Sequence, residues 1–114
     1  MVRPRSRVVL LSGDGAFLAG GLSIETAFAQ EVPVTVVIDN NRGLGSIAQQ
    51  QMRLFKEGRT FKTDFRDIPF HKIVEGLGGY GETVTRREEL RPALERAFAS
   101  GRPALLNVKT KSVI

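Results

Sequence analysis

Val8-Val9-Leu10-Leu11-Ser12-Gly13-Asp14-Gly15 and Val34-Thr35-Val36-Val37-Ile38-Asp39-Asn40-Asn41 are the two stretches whose reading decides the fold of this chain. Each is a short continuous run of apolar, largely β-branched residues that ends in turn-forming glycine, aspartate or asparagine. Strands covered on one face alternate apolar with polar residues; strands buried on both faces, as in parallel sheets, read as continuous runs. Strands are therefore expected over residues 7–12 and 34–39. Between them, residues 18–30 carry Leu22, Ile24, Ala27 and Phe28 on one helical face, with Gly20 and Gly21 weakening the first turn. Pro33 ends that segment before the second strand begins.

The same alternation continues downstream. Residues 40–67 are irregular at both ends around a helix near 47–55, and a further helix is expected over 69–77, capped by Asp67 and stopped by Gly78 and Gly79. Thr85 and Glu88 have the spacing of a capping box for a helix reaching residue 99, with Leu90, Ala93, Leu94, Ala97 and Phe98 as its buried stripe. Gly101 ends it, and Pro103 precedes a last buried strand over 104–109. Strands joined by helical crossovers predict an α/β fold, an open, mostly parallel sheet with helices on both faces. With 114 residues and 41% apolar content, the expectation is a single domain over 1–114.

Composition excludes several classes. The absence of cysteine rules out disulfides and thiolate metal sites and makes the cytoplasm the default compartment. No run approaches the roughly 20 apolar residues of a membrane span. The net charge of +5 invites a nucleic-acid reading, but the charges are scattered. Arg3, Arg5 and Arg7 form a short arm, Arg86 and Arg87 open a helix, and Arg53, Lys56, Arg59 and Lys62 are interleaved with Phe55 and Phe61. Dispersed basic residues are usually a solvated face, so nucleic-acid binding is disfavoured.

In open parallel sheets, ligands bind beyond the carboxyl ends of the strands. After the first strand stand Gly13, Asp14 and Gly15; after the second come Asn40, Asn41, Arg42, Gly43, Leu44 and Gly45. Glycines permit close approach of the backbone to a ligand, and amides at a helix start face phosphate readily. Asp14 and Asn41 offer hard oxygens from neighbouring strand ends, which with a backbone carbonyl suit Mg²⁺ held jointly by protein and phosphate. Taken alone, Gly-Asp-Gly is a common turn and Asn-Asn a common cap. The occurrence of both, each directly after a buried strand and one helix apart, is what points to a site.

Gly13-Asp14-Gly15, the helix containing Ile24-Glu25-Thr26-Ala27, and Asn40-Asn41 resemble the diphosphate-binding motif of thiamine diphosphate enzymes of the acetolactate synthase and 2-oxoacid decarboxylase superfamily. The resemblance continues through Gly78-Gly79-Tyr80-Gly81-Glu82 and Glu89-Leu90-Arg91-Pro92-Ala93-Leu94 to Pro103-Ala104-Leu105-Leu106-Asn107-Val108, nearly the whole chain. It implies Asp14, the Asn41 side chain and the Gly43 carbonyl as Mg²⁺ ligands. It further implies a cofactor-binding set of Gly13, Asp14, Gly15, Ala16, Asn41, Gly43, Gly45 and Ser46, with the amides around Gly15, Ala16, Gly45 and Ser46 holding the diphosphate of thiamine diphosphate.

In that family a pyrimidine-binding domain supplies an activating glutamate, usually across a subunit interface, and nothing here resembles that domain. The resemblance therefore implies an N-terminally incomplete domain that works with a pyrimidine-domain partner in a homo- or hetero-oligomer, as a split-enzyme subunit or a piece of a longer gene. No catalytic residue is assigned, and activity alone is not expected. Ser46 and Gln50 stand where acetolactate synthases often carry a Met and, later, a Trp, so decarboxylase, carboligase and lyase chemistry on small 2-oxo acids all stay open. Gln49 to Gln51 read as an exposed helix face, and His71, the sole histidine, as a surface or packing residue. Two alternatives stand beside this: a non-catalytic α/β module binding another phosphorylated ligand with Mg²⁺, and a basic interaction domain. An uncovered apolar face is also expected near Phe17, Leu18, Leu44 and Ile47.

Overall fold

The computed structural model of the chain describes residues 5–55 and 58–112; Arg3 and Lys56 of the two basic segments lie outside them. Four strands, β1 (Val8–Gly13), β2 (Val34–Asn40), β3 (Tyr80–Val84) and β4 (Ala104–Lys109), form an all-parallel sheet in the order β1-β2-β4-β3. The helices are α1 (Asp14–Gly20), α2 (Glu25–Ala29), α3 (Gly45–Leu54), α4 (Phe70–Gly76) and α5 (Leu90–Ala99).

The topology explains why the helices lie on two faces. Crossovers between parallel strands are right-handed, so the direction of a move along the sheet decides which face its helix covers. The steps β1 to β2 and β2 to β3 run one way, and the step β3 to β4 returns. Accordingly Phe17, Ile24, Phe70 and Val74 pack with Val36, Ile38 and Leu105 on one face. Ala93 and Ala97 of α5 pack with Val37, Val84, Ala104 and Leu106 on the other. Consecutive residues of β2 and β4 thus serve opposite cores, which is why those strands read as unbroken apolar runs.

Several local expectations are corrected. The expected helix over 18–30 is broken: α1 begins directly at Asp14, and a 3₁₀ turn at Gly21–Ile24 separates it from α2. Gly21 has no room for a side chain, since a Cβ there would stand 2.4 Å from the Phe17 ring. Asp67 does not cap α4; its carboxylate pairs with Lys109, and Pro69 occupies the cap position. At the α5 entrance the acid that folds back is Glu89, not Glu88, accepting the Thr85 and Arg86 backbone N–H groups at 3.1 and 3.2 Å.

Strand β3 was not expected, because its glycine and glutamate mask a strand pattern. Gly81 is there for contact: a Cβ would meet the His71 carbonyl at 2.4 Å, so α4 lies directly against the strand. Phe17 is buried against Phe70, ring centroids 5.7 Å apart and edge to face, which removes it from the expected uncovered face. Leu18 and Ile47 are exposed, and the apolar surface extends along edge strand β1, where Leu11 is 72% exposed. Among the described residues no helix is long and apolar enough to cross a membrane.

Candidate functional site

Register brings the two motifs together. β1 and β2 pair so that Gly13 lies opposite Asp39, and the chain leaves the two strand ends into α1 on one side and into the loop over residues 41–44 on the other. Between them is a cleft of about 330 Å³ lined by Gly13, Asp14, Gly15, Ala16, Asn41, Gly43, Gly45 and Ser46, together with Asp39, Leu44 and Ile47. All eight residues expected from the sequence line this one cleft. The three additional ones flank the motifs in sequence, and their neighbourhood to the glycines is the signal that would have found them.

Asp14 is buried, and its carboxylate is oriented by the backbone. Oδ1 accepts the Gly15 N–H at 2.7 Å, and Oδ2 accepts the Gly43 N–H at 3.0 Å, tying the two strand-end loops together. Hydrogen bonds of this kind, with an ionised acceptor, are stronger than neutral ones and fix geometry. Each carboxylate oxygen retains capacity for a further contact. Gly43 is confined from behind, where it bridges to Asp64 and a Cβ would stand 2.5 Å from the Thr63 carbonyl. The hydrogen bonds there run from Leu44 N–H to Thr63 and from Phe65 N–H to Arg42, leaving the Gly43 carbonyl outside them. Arg42 takes a left-handed backbone conformation, φ 62°, that reverses the chain into this bridge.

The adjacent asparagines have different duties. Asn40 is buried and structural: its amide nitrogen donates to Asn107 Oδ1 at 2.8 Å, and its oxygen accepts the Arg42 N–H at 3.2 Å. Asn41 borders the cleft, and its Oδ1 is buried with no hydrogen-bond partner. Buried polar atoms are nearly always satisfied, so an orphaned acceptor beside a buried carboxylate marks a place for a cation or donor. Among the described residues no three His, Cys, Asp or Glu side chains gather as a protein-only metal site. One carboxylate, one orphaned amide oxygen and one free carbonyl instead suit a hard cation that brings its remaining oxygens with a ligand. Beside them α3 starts at Gly45 without a side-chain cap, leaving first-turn amides at the cleft wall.

The other singled-out residues lie away from the cleft. His71 is half-buried, with Nδ1 3.0 Å from the Thr83 hydroxyl, and burial pulls its pKa below the ordinary value. Gln49 and Gln50 are exposed, but Gln51 is not merely solvated; it bonds the Phe61 backbone, accepting its N–H at 2.7 Å. Lys62 sits over the ring of its sequence neighbour Phe61, 5.3 Å from the centroid.

Comparison with known proteins adds what geometry cannot. The family described as thiamine pyrophosphate enzyme, C-terminal TPP binding domain, matches residues 1–108. The chain is 43% identical over 111 residues to an acetolactate synthase large subunit of Mycobacterium tuberculosis, covering 96% of this chain and 20% of that protein. It is 36% identical over 104 residues to oxalyl-CoA decarboxylase of Escherichia coli, covering 90% and 18%. Among solved structures, the thiamine diphosphate-dependent 4-hydroxybenzoylformate decarboxylase of Rhodococcus jostii superposes with a TM-score of 0.83 at 29% identity, over 96% of this chain and 20% of that one. The chain therefore spans about a fifth of the length of the curated relatives it matches.

Proposed function

Because the chain belongs to the C-terminal TPP-binding domain family of thiamine pyrophosphate enzymes, we propose that its cleft holds the Mg²⁺-diphosphate end of thiamine diphosphate within a 2-oxoacid decarboxylase or carboligase of the acetolactate synthase kind. The observation that carries this is the unpartnered Asn41 Oδ1, buried beside the Asp14 carboxylate at the mouth of two glycine-lined strand ends. Asp14, Asn41 and the Gly43 carbonyl hold the cation. The amides of Gly15, Ala16, Gly45 and Ser46 hold the diphosphate, the last two in the first turn of α3, where helix N–H groups favour negative charge.

When bound, thiamine diphosphate supplies the nucleophile and electron sink for cleaving bonds next to a carbonyl. This chain's contribution is position. Asp14 is held by two backbone N–H groups and so needs no rearrangement when a cation arrives, and Gly43 is pinned by the bridge to Asp64. Positioning matters, because a displacement of about 1 Å at a reacting centre costs on the order of a hundredfold in rate. The pyrimidine-binding partner, the oligomeric assembly and the small 2-oxo acid substrate belong to this proposal, as does a cytoplasmic location.

A thermal-shift comparison tests it. Thiamine diphosphate with Mg²⁺ is expected to raise the melting temperature more than the same compound with a chelator, ADP with Mg²⁺ or a short oligonucleotide, since a ligand stabilises the folded state in proportion to its preference for it. An equal shift with ADP and Mg²⁺ would favour the general phosphate module instead.

A further inference from the structure

At the opposite end of the sheet, where strands begin, lies a second hollow of about 180 Å³ lined by residues that include Arg5, Ser6, Arg7, Thr35, Phe98 and Arg102. Arg5 and Arg7, ahead of β1, have no part in the cofactor cleft and line this hollow instead. Three separated segments converge: the arm, the buried Thr35 of β2, and the turn after α5 that carries Arg102. No acidic side chain lines the hollow, and among the described residues none of the three guanidinium groups is in an ion pair.

We propose that this hollow is a binding site for a small phosphate-type anion, separate from the cofactor cleft and independent of the reading given for it. Arg7 is pre-positioned, its guanidinium carbon 4.9 Å above the Phe98 ring, a contact that orients the flat group without using up its hydrogen-bond donors. Arg102 donates Nη1 to the Gly78 carbonyl at 3.3 Å, which holds its side chain against the turn and leaves most of its donors free. The C-terminal end of α5 contributes partial negative charge nearby, but a helix end carries only about half a unit, against three guanidinium charges. Like charges lining one hollow repel, and an anion bound there relieves that repulsion.

The chemistry of the walls selects the class of anion. Guanidinium forks match tetrahedral phosphate oxygens in a bidentate way, and the Ser6 hydroxyl adds a further donor. The size selects against anything large: ligand pockets for drug-sized molecules run from about 300 Å³ upward, so a hollow of this volume takes one phosphoryl group, free or at the end of a nucleotide.

The test is a heteronuclear NMR titration of the full chain in the presence of a chelator, so that no divalent cation serves the cleft. Inorganic phosphate, ADP, a short single-stranded oligonucleotide and sodium chloride at matched ionic strength form the arms. Saturating shift changes at residues 5–7, Thr35 and Arg102 with phosphate, without counterpart in chloride, are expected. Arg102→Gln and Arg5→Gln should each weaken binding about tenfold, in line with loss of a charge-assisted contact, while Arg53→Gln on α3 should leave it unchanged. Tighter binding of ADP than of phosphate would identify the nucleotide as the source, and equal binding the free ion. Changes that fail to saturate, that centre on the Asp14 cleft, or that persist unaltered in both folded variants would overturn the proposal. So would saturation by a single-stranded oligonucleotide alone.

Discussion

Neighbouring asparagines should respond to the same substitution with opposite signs. Asn41 Oδ1 is buried without a partner, and such an acceptor costs about 1–3 kcal/mol in the folded state. Asn41→Ala removes that cost together with some packing, so the purified chain without ligand should gain about 1 kcal/mol, or about 4 °C in melting temperature at this length. With thiamine diphosphate and Mg²⁺ at a hundred times the dissociation constant, the wild-type chain should gain about 2.7 kcal/mol, and the variant should lose nearly all of that shift. Asn40→Ala strands the Asn107 Oδ1 and Arg42 N–H groups that now bond to it at 2.8 and 3.2 Å. It should destabilise the chain by about 2–4 kcal/mol with or without ligand. Differential scanning fluorimetry on the three proteins, with cofactor plus Mg²⁺ or cofactor plus chelator, reads both effects. If Asn41→Ala lowers the ligand-free melting temperature, or keeps the full Mg²⁺-dependent shift, the assignment of this oxygen to a cation is wrong.

Asp14→Ala should abolish Mg²⁺-dependent binding by calorimetry and, because it frees the Gly15 and Gly43 N–H groups, should also destabilise the ligand-free chain by about 2–4 kcal/mol; unchanged affinity would sink the metal assignment. Glu89, held to about pKa 2 first by Arg86 and then by backbone N–H groups, has a folded pKa below its ordinary value. Its contribution is therefore present above the ordinary carboxylate range and lost as pH falls from about 5 toward 2, so Glu89→Gln should flatten the acid limb of the melting-temperature profile. Leu11→Lys should reduce self-association along the exposed β1 edge in sedimentation velocity, whereas a wild-type chain that is monomeric at every concentration would contradict that use of the edge. The chain alone should release no CO₂ from pyruvate or benzoylformate with saturating cofactor and Mg²⁺, and release should appear on adding a pyrimidine-domain partner; turnover by the chain alone would show that the cleft is not half of a shared site.

The sequence by itself determined that β1, β2 and β4 are strands; for β2 and β4 the continuous apolar runs do mark a sheet covered on both faces, whereas β1, expected to be buried like them, is an edge strand whose Val8 to Leu11 side chains are exposed. It also determined the candidate cleft, since glycines, a carboxylate and an amide placed directly after parallel strands must come to the same end of the sheet. Tertiary structure alone decided the rest. Strand β3 exists because Gly81 lets α4 lie against it, a contact between segments that local propensity does not encode. Asp67 leaves the helix cap for Lys109, which is distant in sequence, and Phe17 leaves the expected open face for Phe70. Most tellingly, Asn40 and Asn41 are chemically identical and adjacent, yet one is spent on Asn107 and the other faces the cleft. Alternation along an extended chain sends successive side chains to opposite sides, and only the assembled sheet determines which side holds a partner and which holds an empty oxygen.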